Sequence, residues 1–74
     1  MIHVIATIEL VEGKREAFLD EFRRIIKVVR DEDGCIEYGP AIDVATDVSE
    51  PARPTLVTVI EKWSTVPALE AHLK

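Results

Sequence analysis

The chain has 74 residues, an apolar fraction of 47%, nine basic against fourteen acidic side chains and a formal net charge of −5. A single domain of this length buries only about 60% of the surface of its unfolded chain, so association with a second copy is the available route to a larger core. The composition excludes disorder, the lone Cys35 excludes a disulfide framework or metal cluster, and cations interleaved with acids exclude the basic stripe that nucleic acid requires. No apolar run approaches the roughly 18 residues of a membrane span, and Met1 leads into Ile2-His3-Val4 without a charged leader or cleavage site. The expectation is a soluble cytoplasmic protein with a reduced thiol, not bound to membrane or nucleic acid.

Ile2 to Val11, rich in β-branched residues, predicts the first strand. Alternation puts Ile2, Val4, Ala6, Ile8 and Leu10 on a wholly apolar face and His3, Ile5, Thr7, Glu9 and Val11 on a mixed one. The apolar face suits a packed seam; the mixed face suits a wall that a polar ligand touches. Glu12-Gly13 ends the strand, and Lys14 to about Asp31 predicts a helix with its apolar stripe on Phe18, Phe22, Ile25, Ile26 and Val29. Glu16 in its first turn and Lys27 and Arg30 in its last complement the helix dipole, and Gly34 suits the left-handed stop.

Cys35 to Val44 predicts the second strand, which Gly39-Pro40 consigns to an edge or a bulge. Ala45 to Pro54 is a polar connection, and Thr55 to Trp63 is the cleanest strand. Ser64 or Thr65 caps a second helix that tolerates Pro67 in its first turn, with Val66, Leu69 and Leu73 opening its apolar face. The order β-α-β-β-α is an α+β, ferredoxin-like split βαβ plan short of its final strand. Residues 1–74 are therefore expected to be one domain that is incomplete at its C-terminal end.

His72 is the leading candidate for chemistry, because only histidine has an ordinary pKa near neutrality; the plainer reading is a boundary histidine half in water. Trp63 reads as a core plug or as an aromatic wall, its ring N–H needing a partner either way. Glu61, on the same strand face, must be paired or protonated if buried, an edge-of-sheet salt link being the simplest account. Thr7 could orient a ligand oxygen or satisfy the sheet, and Tyr38 could donate its phenol or pack on the helix. His3 reads as a surface residue and Cys35 as a small buried hydrophobe. No HxH or HxxxH spacing points to a metal, and phosphate loops, nucleophile elbows and CxxC pairs are absent.

Four segments in order carry a resemblance that runs over essentially the whole chain. They are Met1-Ile2-His3-Val4-Ile5-Ala6-Thr7-Ile8; Glu12-Gly13-Lys14-Arg15-Glu16-Ala17-Phe18; Asp33-Gly34-Cys35-Ile36-Glu37-Tyr38; and Glu61-Lys62-Trp63-Ser64 with Ala68-Leu69-Glu70-Ala71-His72-Leu73. Together they resemble the antibiotic biosynthesis monooxygenase domain family. The resemblance implies a ferredoxin-like homodimer of the dimeric α/β-barrel type, with sheets packed face to face and a pocket between sheet and helices touching the mixed face. It implies oxygenation of a small phenol or hydroquinone by O₂ without metal, flavin or haem. His72 would be the general base, with Trp63, Tyr38, Thr7 and Glu61 contacting substrate. The haem-degrading branch fits poorly, with Thr7 in place of its asparagine and His72 in place of its second tryptophan. Two rivals stand beside the oxygenase: an isomerase or degradation enzyme for a small signalling hydroxy-ketone, and a non-catalytic ligand-binding dimer.

Overall fold

The structure is a computed structural model that describes residues 1–74. Its elements are β1 (Ile2–Glu9), α1 (Arg15–Arg30), β2 (Cys35–Ala41), β3 (Leu56–Trp63) and α2 (Val66–His72), in the predicted α+β order. The three strands form one antiparallel sheet in the order β1-β3-β2. β3 is therefore central, while β1 and the Gly39-Pro40 strand β2 are edges. Proline is tolerated on β2 because an edge strand has one side on which no ladder donor is required. A register shift between Cys35 and Glu37 marks the bulge on that strand.

The pairing register assigns every side chain to a face. Ile2, Val4 and Ile8 lie opposite Trp63, Glu61 and Val57, and Tyr38 lies opposite Glu61 from the other side. This inner face carries both helices: Phe22, Val29, Tyr38, Val59 and Trp63 form the core, with Ile2, Val4, Ile8, Phe18, Ile26, Ala68 and Leu69 packed around it. Thr7 pairs with Thr58, Ile5 with Ile60 and His3 with Lys62, all on the outer face. The expectation for the two faces of β1 is thus reversed. The apolar face packs beneath the chain's own helices, which offer the nearest apolar partner. The mixed face looks away from them, with Ile5 73% exposed.

α1 buries Leu19, Phe22 and Val29. Ile25, placed on the stripe by spacing, is largely exposed, and Leu19 takes its place. The buried arc is centred between Phe22 and Ile26, and at 3.6 residues per turn Leu19 falls inside it while Ile25 falls just outside. Burial of each such side chain contributes roughly 1.5–3 kcal/mol, which holds the helix to the sheet. Gly34 has φ +83, as a left-handed stop requires, but it lies beyond the C-cap Asp31, in the turn that starts β2. The connection from β2 to β3 is pinned by Arg53, which donates to Asp43 Oδ2 from Nε at 2.7 Å and from its backbone N–H at 2.9 Å. These hydrogen bonds hold the Asp43 carboxyl at about 2, below its ordinary range.

Candidate active site

α2 is short, and its placement decides where His72 goes. Thr65 caps it, accepting a hydrogen bond at its side-chain oxygen from Ala68 N–H at 3.2 Å, and Pro67 sits in the first turn, where no donor is lost. Ser64 N–H donates to Gly34 O at 2.8 Å, joining the start of α2 to the turn before β2. A Cβ at Gly34 would lie 2.5 Å from Ala68 Cβ and 2.8 Å from Ser64 Oγ, so the absence of a side chain there lets α2 approach. Ala68 and Leu69 pack on the core. His72, one turn after Leu69, follows them inward; Leu73, expected on the apolar face, is 73% exposed, and Val66 is also largely exposed.

His72 enters a cluster of acids and aromatic rings. Its side chain is 17% exposed, and its Nδ1 lies 3.0 and 3.3 Å from the two carboxylate oxygens of Glu32. Its Nε2 lies 4.0 Å from Glu61 Oε1. That oxygen accepts a hydrogen bond from Trp63 Nε1–H at 2.9 Å. The imidazole ring is tilted 30° against Trp63 at 4.7 Å and meets Tyr38 edge-on at 5.7 Å. Tyr38 in turn stacks on Phe22 at 5.3 Å. Burial, followed by the charges of Glu61 and Glu32, pushes the Tyr38 phenol above its ordinary value, so it stays a neutral donor at physiological pH. Burial and the same two carboxylates also raise the Cys35 thiol, which disfavours the nucleophilic thiolate.

Four of the five candidate site residues, His72, Trp63, Tyr38 and Glu61, come together on the inner face; Thr7 does not, because the odd-numbered positions of β1 point to the outer face. Trp63 is both a core plug and a partner in the cluster: it is fully buried, and its N–H is satisfied by Glu61. It backs the histidine ring rather than presenting a free aromatic surface. Glu61 sits on the central strand, accepts from Trp63 and lies 4.0 Å from His72 Nε2, so the expected edge-of-sheet salt link is not what holds it. Lys62, its neighbour, makes the outer-face ion pair instead, with Glu37 at 3.0 Å.

Glu32 is the member that sequence reasoning missed. It stands in Asp31-Glu32-Asp33, where three consecutive acids read as a solvated helix end, and only Glu32 of the three is turned partly inward. Two open hollows mark the surface, about 420 Å³ beside Asp43, Glu50 and Arg53 and about 360 Å³ between Gly34 and Pro67. His72 lines neither, and in the larger Asp43 and Arg53 already satisfy each other. No group of three metal-ligating side chains is assembled anywhere in the chain, and no helix is long and apolar enough to cross a membrane.

An antiparallel sheet with both helices on one face, and an acid-flanked histidine where they meet, defines a ferredoxin-like α+β domain with an acid–base candidate at its helix–sheet junction. The sequence profile of the antibiotic biosynthesis monooxygenase family matches residues 1–74, and the chain belongs to that family. Proteins named probable quinol monooxygenase YgiN from Escherichia coli K12, Escherichia coli O157:H7 and Shigella flexneri are each 40% identical to it over 77 residues. The alignment covers 100% of this chain and 74% of theirs.

Proposed function

We propose that this protein is a monooxygenase that oxidises a small hydroquinone or related phenol with O₂, using its own side chains and no cofactor. The observation that carries the reading is His72, held at Nδ1 by Glu32 with Nε2 left free of any protein hydrogen bond. Family membership and the similarity to proteins named as quinol monooxygenases support the choice of substrate. His72 Nε2 takes the proton from a substrate hydroxyl. The resulting anion passes one electron to O₂, and the two radicals combine at a ring carbon to form a peroxide anion. His72 returns its proton to the outer peroxide oxygen, which leaves as water together with the hydrogen of the attacked ring carbon, giving the hydroxylated quinone. The carboxylates of Glu32 and Glu61 stabilise the imidazolium that forms between them, and Trp63 and Tyr38 hold its ring. Thr7, on the far face, has no part in these steps.

In the same reading, residues 1–74 are one domain, and the free edge of β1 is where a fourth strand would complete its sheet. The partner is a second copy, docked on the outer face through the Ile5–Ile60 pair and the Thr7–Thr58 pair beside it. Only eight of 74 residues are buried, so a lone copy has little core and gains from covering that face.

The test is oxygen uptake with a hydroquinone. His72→Ala lowers the rate by about 10²–10⁴-fold, the usual contribution of a general base, with the circular dichroism spectrum unchanged. Uptake at the wild-type rate in the variant would remove His72 from the mechanism. Turnover that persists without oxygen would replace the oxygenase by an isomerase using the same base.

A further inference from the structure

We infer that Glu32 is a positioning residue that locks His72 in the tautomer with its proton on Nδ1, leaving the Nε2 lone pair as the base. The proposal rests on the general-base reading of His72 for its catalytic meaning, and on geometry alone for the lock.

Both oxygens of the Glu32 side chain face Nδ1, at 3.0 and 3.3 Å. An ionised carboxylate only accepts hydrogen bonds, so a proton must sit on Nδ1 for either contact to be favourable. In the other tautomer the Nδ1 lone pair would face two carboxylate oxygens. Nothing on the opposite side of the ring competes for a hydrogen. Glu61 Oε1, at 4.0 Å from Nε2, is beyond hydrogen-bonding distance and already accepts from Trp63. Tyr38 meets the ring edge-on and Trp63 lies tilted across its face, so the imidazole is held against flipping while Glu32 selects its proton.

Glu32 is itself fixed. Its backbone N–H donates to Val29 O at 3.0 Å, and its C=O accepts from Cys35 N–H at 3.1 Å. The residue is therefore anchored at the turn between α1 and β2, whereas His72 arrives from the last turn of α2. The contact joins residues 40 positions apart and ties the end of α2 to the rest of the domain. The side chain of Glu32 is 35% exposed, so removing it opens no core cavity.

Nitrogen NMR of the full chain tests the lock without reference to activity. In the wild type, neutral His72 carries its proton on Nδ1. In Glu32→Ala that preference is lost and hydroquinone-dependent oxygen uptake falls about tenfold or more, because much of the histidine presents the wrong nitrogen and the imidazolium loses its neighbouring carboxylate. Glu32→Gln, whose amide oxygen still accepts, keeps the Nδ1–H tautomer and recovers part of the rate. A wild-type His72 protonated on Nε2, or a tautomer unchanged in Glu32→Ala, overturns the assignment. A lock seen in the wild type and released in Glu32→Ala, with no oxygen uptake in either protein, upholds the assignment and overturns the oxygenase reading instead.

Discussion

The two faces of this sheet are made from the same three strands, yet they have little else in common. The inner face holds Trp63, Val57, Glu61 and Tyr38, all buried beneath two helices, and it gathers every member of the acid–aromatic cluster. The outer face carries Ile5, Thr7 and Ile60 in the open beside a half-buried Thr58, bordered by the Glu37–Lys62 pair. Side chains alternate along a strand, so adjacent residues such as Glu61 and Lys62 meet opposite environments. A buried carboxylate has to be given a partner, and Glu61 has the indole N–H of Trp63; an exposed ion pair such as Glu37–Lys62 contributes little by itself. The acid–aromatic cluster is confined to the face the chain covers for itself, while the other face stays open, as the proposed docking of a second copy requires.

The largest effect on this contrast is expected at the point where α2 docks. Gly34→Ala puts a Cβ into Ala68 and Ser64 at a backbone position with φ +83. Strain at such a position costs on the order of 1–3 kcal/mol, and the crowding adds to it. Urea denaturation should show the loss, and near-ultraviolet circular dichroism should show Trp63 released from its fixed surroundings. An unchanged midpoint would mean that the inner face does not depend on α2.

Ile5→Asp attacks the other face. It places a charge where a second copy would dock, and at least about a tenfold loss of association follows if Ile5 is a central contact. Light scattering across dilution reads this directly, while the fold and the His72 cluster stay intact. A wild-type chain that is monomeric at all concentrations would break the assignment of the outer face to assembly.

The smallest effect is expected at Thr7. Thr7→Val removes a hydroxyl that lies across the sheet from His72, so turnover per folded chain is unchanged and stability moves by less than about 0.5 kcal/mol. A marked fall in turnover with stability preserved would return Thr7 to the site and redraw the division between the faces.

Much of this was legible in advance, for reasons that differ by residue. Period-two alternation showed that Glu61 and Trp63 share a face, and that Thr7 shares one with Ile5. It could not show which face the helices cover, because that depends on how the connections cross the sheet. The β1 assignment was reversed for that reason. His72 stood out by its pKa class and its spacing from Leu69. Glu32 did not, since nothing local distinguishes it from Asp31 and Asp33; its role exists only because α2 ends beside the turn that follows α1.

The sequence by itself determined the element order, the restriction of the proline strand to an edge or a bulge, a cap on α2 at Ser64 or Thr65, and the family. Each of these follows from local chemistry or from the pattern of the whole chain. The tertiary structure alone decided the sidedness of the sheet, the burial of Glu61 beneath the helices and the Glu32–His72 contact. Those depend on distances between segments far apart in the chain, and such distances are set by packing rather than by any residue's own preference.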